Sequence, residues 1–218
     1  MIRFLLPFGL LLLPLLATAQ SGGSQLAQLQ QNGLLLVALP TRSKKTEAVR
    51  RELARPELTD EQLRNLEARL ARIEADNARD ARLLQQAFAA AYDFSEYRFT
   101  YDTVVVDMRD HTGAAYLLDD MLATVATDWP ADAFYWVAQF GYEDGLRGLR
   151  VRTADLQPVP ASVQDFYRFN TFASLFRALT KPKAEAELVD AQRMVARLHK
   201  EFTRRAAKER PEEAFIIK

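Results

Sequence analysis

Cysteine is absent from the 218 residues of this chain. That excludes disulfides, thiol nucleophiles, CxxC redox chemistry and thiolate metal sites. Histidine is nearly absent, with only His111 and His199, so the commonest neutral-pH base and metal ligand are both scarce. Neither sign of charge dominates: 29 Lys and Arg stand against 29 Asp and Glu. A nucleic-acid or anionic-membrane partner calls for a basic surplus, so neither is expected. Long apolar runs are missing as well. The longest, residues 4–16, falls short of the ~20 residues that a spanning helix needs. No catalytic, metal or cofactor motif stands in the sequence. No cofactor, no metal and no catalytic residue is therefore assigned from it.

What the first residues do carry is an address. Arg3 precedes the apolar stretch, and Ala17-Thr18-Ala19 closes it with small residues where a signal peptidase reads. This is the order of a secretory signal peptide. Residues 1–19 are expected to be removed, leaving a chain that starts at Gln20, in the periplasm or secreted, with no lipid anchor. Losing Arg3 leaves 28 cationic residues against 29 acidic ones. A mature chain of this length is large enough for one domain with its own core.

Residues 20–32, rich in Ser, Gly and Gln, read as a polar, flexible leader. Residues 33–218 read as a single α/β domain. Leu34 to Leu39 is a continuous apolar run stopped by Pro40, as suits a strand buried on both faces. Residues 44–55 form a helix candidate. Thr59 and Gln62 have capping-box spacing and open a second, much longer helix over residues 60–92, which makes a helical hairpin. Tyr97, Phe99 and Tyr101 alternate with Arg98, Thr100 and Asp102, Phe134, Trp136, Ala138 and Phe140 with Tyr135, Val137 and Gln139, and Leu149, Val151 and Thr153 with Arg150 and Arg152; each set predicts a strand, the last two a hairpin. Residues 114–118 are a weaker strand candidate. Residues 103–108 fit strand or helix. Ser162 is placed as the cap of a helix reaching Leu179. Leu188, Ala191, Val195, Leu198 and Phe202 mark a final amphipathic helix, and residues 214–217 a short terminal strand. The expected fold is α/β, with a mixed sheet of about five strands, a parallel βαβ unit and C-terminal helices. Strand–helix–strand followed by hairpin and helix is the thioredoxin order, without its CxxC.

Several segments together resemble an uncharacterised family of exported proteins from Bacteroidetes-type bacteria. They are the signal peptide, residues 33–48, Ala87-Phe88 with Tyr92-Asp93-Phe94, residues 134–141, residues 151–158 and Leu198-His199-Lys200-Glu201-Phe202. The resemblance implies a compartment and a source. It brings no activity and no site residues.

The segment with the most useful chemistry is Thr41-Arg42-Ser43-Lys44-Lys45. It follows the first strand and opens a helix. Ligands of open α/β sheets bind beyond strand carboxyl ends, and helix N-termini favour anions. Two hydroxyls and three cations suit a phosphate, sulfate or carboxylate; without glycine, the alternative is a solvated helix start. Asp107, Asp110, His111, Asp119 and Asp120 suggest either a metal or acid–base group or a loop satisfying its own backbone. His199 is expected on a solvent-facing helix position. Arg147, Arg150 and Arg152 are expected to charge an edge strand against unwanted pairing. Leu63, Leu66, Leu70 and Ile73, with Asn77, have coiled-coil spacing that fails at Asp80. They pack on the protein's own sheet or form a helical dimer, so the chain is a monomer or a helix-mediated dimer. Three functional readings follow. The first is an exported, non-catalytic protein that binds an unknown protein or small ligand. The second is a protein binding small anionic ligands through the loop after the first strand, and the third a carboxylate-based hydrolase.

Overall fold

A computed structural model of the chain describes residues 22–109, 115–119, 121–127, 133–143, 146–169 and 180–209. Residues 1–19, Asp110, His111, Asp120, residues 170–179 of the helix expected to reach Leu179, and residues 214–217 lie outside the described residues. In chain order the elements are α1 (Gly22–Asn32), β1 (Leu34–Leu39), α2 (Ser43–Leu53) and α3 (Asp60–Ala91). Next come β2 (Glu96–Tyr101), α4 (Val105–Arg109), β3 (Ala115–Leu118) and β4 (Thr124–Thr127). The last are β5 (Tyr135–Glu143), β6 (Leu146–Thr153), β7 (Phe166–Arg168) and α5 (Lys183–Glu209).

The strands form one mixed sheet in the order β4-β3-β2-β1-β5-β6-β7. Its centre is parallel: β1 pairs with β2 on one side and with β5 on the other, Val37 lying opposite both Phe99 and Ala138. Antiparallel pairs extend the sheet outward on both flanks. The parallel βαβ unit is therefore present, with α2 and α3 in its crossover. The sheet has seven strands where about five were expected. Two were not foreseen, β4 and β7, of four and three residues; pieces this short leave no period to read.

The apolar run of β1 is buried on both faces, as its composition requires. Leu35, Val37 and Leu39 join Trp136, Ala138, Leu149 and Val151 beneath α1, α3 and α5. Those helices contribute Leu26 and Leu29, then Leu84 and Phe88, then Met194, Val195, Leu198 and Phe202. Each such side chain removes enough apolar surface from water to stabilise the fold by about 1.5–3 kcal/mol. The opposite face is thinner. There Leu36, Ala38, Tyr135 and Val137 meet Val105 and Met108 of α4. The segment over residues 103–108 thus resolves as a helix turn whose two buried residues lie three apart.

Two expectations are corrected. Residues 22–32 are not a loose leader: they form α1, and Leu26 and Leu29 are fully buried. Gly33 lets α1 turn into β1, because a Cβ there would lie 2.5 Å from the Leu29 backbone. The helix placed over residues 162–179 is also wrong at its start. Phe166–Arg168 is β7, paired with β6 and turning Tyr167 into the core.

Thr59 does cap α3: its hydroxyl accepts the Gln62 N–H, and the Gln62 side chain accepts the Thr59 N–H. At 1.5 Å per residue, the 32 residues of α3 extend ~48 Å. Ile73 is buried, and from Asp80 to Phe88 every turn buries a residue, whereas residues 60–72 contain none that is fully buried. Of the leucine stripe, Ile73 is therefore buried, Leu66 and Leu70 are half-buried, and Leu63 is 39% exposed. The first half of α3 pairs with α2, aided by the Arg50–Glu74 and Arg69–Glu52 ion pairs at 3.8 and 4.0 Å.

Candidate functional site

Pro40 ends β1, and the chain must turn at once into α2. It does so through Arg42, whose backbone is left-handed at φ 49° and ψ 35°. That conformation costs about 1–3 kcal/mol for a non-glycine residue and persists only where the surroundings impose it. Here they do. The Thr41 N–H and hydroxyl both donate to Asp102 Oδ1, at 3.1 and 2.6 Å, just beyond the end of β2. The Asn77 amide of α3 donates to the Thr41 carbonyl at 2.7 Å. The Arg42 guanidinium donates to Asn77 Oδ1 and, at 2.7 Å, to Asp80 Oδ2.

Asp80 is the hub. It is only 1% exposed, and its other oxygen receives Arg147 from β6. The Arg147 guanidinium lies over the Phe140 and Phe169 rings, 4.9 and 5.1 Å from their centroids. One carboxylate thus ties the loop after β1, the middle of α3 and strand β6 to one another. Buried ion pairs gain little net stability because desolvation offsets attraction, but they fix geometry when every partner is present.

Beside this hub opens a cleft of about 440 Å³. It lies at the carboxyl ends of β1 and β5, the region where open α/β sheets hold ligands. Its walls carry Arg42, Lys45 and Arg150 against Asp80, Asp102 and Glu143, with Gln139, Phe140, Tyr142 and Phe166 between them. Arg42 is committed to Asp80, and Arg150 to Glu143. Lys45 is exposed, and among the described residues it has no ion-pair partner. Glu143 keeps a buried second oxygen, Oε2, that accepts no hydrogen bond. Tyr142 is 70% exposed at the rim, and Arg150 stands 5.8 Å from the Phe166 ring centroid.

The five residues expected to hold an anion separate into three groups. Arg42 and Lys45 line the cleft. Thr41 spends its hydroxyl on Asp102 and faces a neighbouring cavity of about 390 Å³ with Leu39, Asn77 and Tyr101. Ser43 and Lys44 are not among the residues that line the cleft. Arg42 is more than a surface cation, since it anchors α3 to the loop. The cleft also uses residues that were assigned no site role, chiefly Asp80, Asp102, Gln139 and Glu143. The one available signal for Asp80 was that it broke an otherwise apolar stripe.

The other candidates resolve differently. Asp119 accepts the N–H groups of Met121 and Ala123 with one oxygen, both at 2.8 Å, so it satisfies its own turn. Asp107 is an exposed residue of α4. Among the described residues no group of three His, Cys, Asp or Glu side chains is arranged to hold a metal ion. His199 is half-buried rather than solvent-facing. Its Nδ1 lies 3.1 Å from Asp93 Oδ1, outside hydrogen-bonding geometry, and its ring meets Tyr92 edge-on. Strand β6 is not an edge, because β7 covers it. The role expected of Arg147, Arg150 and Arg152 therefore fails: Arg147 pairs with Asp80 under α3, and Arg150 pairs with Glu143.

No helix among the described residues is long and apolar enough to cross a membrane. No protein-family model matches the sequence, and comparison with curated proteins and with solved structures likewise gives no match.

Proposed function

We propose that this is an exported binding protein without turnover, whose small ligand docks through an anionic group in the cleft between the ends of β1 and β5. One observation carries the reading. The basic loop singled out by its sequence delivers Arg42 and Lys45 to a cleft at the carboxyl ends of central parallel strands, and Asp80 holds that loop in a costly backbone conformation. Strain maintained beside a concave site is characteristic of functional loops. Lys45 gives the ligand's anion a cation with no carboxylate partner among the described residues, and Arg150 adds a second positive charge nearby.

Two of the cleft's cations, Arg42 and Arg150, are paired with Asp80 and Glu143. No histidine, thiol or recognised nucleophile–base pair lines the cleft, so binding is favoured over hydrolysis. Phosphate titration tests the site. Lys45→Gln with Arg150→Gln should weaken phosphate by about tenfold or more, the cost of losing charge-assisted hydrogen bonds. Retained affinity in that variant would move the site elsewhere, and robust turnover of any substrate by homogeneous protein would overturn the non-catalytic reading. Export is read separately: N-terminal sequencing of protein recovered outside the cytoplasm should begin at Gln20.

A second reading has a specific observation behind it. The first half of α3 carries Leu63, Leu66 and Leu70 on a segment in which no side chain is fully buried. A helix-mediated dimer would use that stripe, and a concentration-independent monomer mass in solution would dismiss it.

A further inference from the structure

The cleft holds a second chemical demand besides its cation, and the two lie on opposite sides of the charge scale. Lys45 offers an ammonium with no carboxylate partner among the described residues. Glu143 offers the reverse. Its Oε1 is engaged by Arg150, while Oε2 is buried and receives no donor. A carboxylate oxygen without a donor, on a side chain 34% exposed at the cleft, marks a place where a ligand's N–H or O–H gains affinity. Asp102 adds a further carboxylate to the same lining. A ligand that is only anionic meets Lys45 and leaves the Glu143 carboxylate without a further donor. A ligand with a carboxylate and an ammonium satisfies both.

The lining also carries apolar surface. Tyr142 stands exposed at the rim, and Phe166 and Phe140 form part of the wall. Aromatic faces stack on flat apolar groups and add to affinity. The volume of about 440 Å³ sits within the range of sites for small ligands.

From these features we infer that the ligand is a small zwitterion with an apolar or aromatic side group, an amino acid or a dipeptide. Its carboxylate is held by Lys45 and its ammonium by the Glu143 carboxylate. This rests on the cleft reading above and narrows it from anions in general to zwitterions.

The test is a titration of the protein, followed by amide chemical shifts, with four probes: L-phenylalanine, L-alanyl-L-phenylalanine, N-acetyl-L-phenylalanine and L-phenylalaninamide. Inorganic phosphate serves as the simple-anion control. The better of the two zwitterions should bind about tenfold or more tighter than either blocked compound. Whichever of the free amino acid and the dipeptide binds better identifies the source. Glu143→Gln should erase the preference for L-phenylalanine over its N-acetyl form. Lys45→Gln should weaken both of these compounds and leave the amide unaffected. If Glu143→Gln unfolds, the four-probe comparison on the unaltered protein decides alone. Binding of N-acetyl-L-phenylalanine as tight as that of the better zwitterion overturns the zwitterion and leaves the anion cleft standing. So does phosphate binding with no response to the four probes. No response to phosphate or to any probe overturns both.

Discussion

Asp80 is the residue on which the cleft depends. Its two oxygens hold Arg42 and Arg147, and both guanidiniums are largely shielded from solvent. Removing the carboxylate strands two buried positive charges, so Asp80→Ala should cost about 3–5 kcal/mol in urea unfolding. A loss below about 1 kcal/mol would mean that the network does not constrain the fold. The sequence hid this role because a buried acid looks, in a helical stripe, like a simple interruption. Asn77 was legible only as a coiled-coil register residue, yet its amide and carbonyl both serve the loop after β1. Partners 35 to 38 residues away cannot be read from local spacing. Glu201 provides a residue-scale pH test. Burial opposes its ionisation, but hydrogen bonds from Arg205 and Arg204 outweigh that and hold its carboxyl below the ordinary range. A depressed folded-state pKa contributes stability above the unfolded value of about 4.3, and that contribution is lost as pH falls through the depressed value. Glu201→Gln should therefore make the acid side of the melting-temperature profile shallower. An unchanged acid side would remove Glu201 from the pH dependence.

At the scale of elements, α3 divides into a half that packs on the body and a half that pairs only with α2. Leu84 is fully buried against the sheet, whereas Leu63 is substantially exposed. Leu84→Ala should cost about 2–5 kcal/mol, the range for emptying a core site, while Leu63→Ala should stay within about 0.5 kcal/mol. Similar losses at both positions would place the two halves in one core. The elements with a strong period were legible. The alternation of Tyr97, Phe99 and Tyr101, the run of Leu34 to Leu39 and the spacing from Leu188 to Phe202 each match an element in the structure. Thr59 and Gln62 mark the start of α3 through the chemistry of the cap itself. What escaped were α1, β4 and β7. Polar composition masked α1, whose burial rests on Leu26 and Leu29 among glutamines. Strand β7 exists because β6 offers it a ladder, a tertiary cause with no local trace.

The whole molecule is a mixed sheet whose parallel centre is flanked by antiparallel pairs on both sides. Among the described residues three helices cover one face, and the single turn of α4 covers part of the other. This arrangement gathers the ends of β1 and β5 beside the loop that Asp80 holds, so the fold itself makes the cleft. A core this extensive needs no disulfide. Two of the three cations of the candidate site, Arg42 and Lys45, were visible beforehand, because a strand followed by a basic helix start is a local pattern. The acidic and aromatic walls, from Asp102 to Phe166, were invisible because the topology assembles them. The most direct measurement is a phosphate titration of the ¹⁵N-labelled protein against chloride at equal ionic strength. Saturable shifts confined to residues 41–46, residues 139–143 and Arg150, and lost with Lys45→Gln and Arg150→Gln together, are the expected result. Absent shifts, or shifts that spread over other basic surfaces and survive that variant, would contradict a ligand site at the ends of β1 and β5.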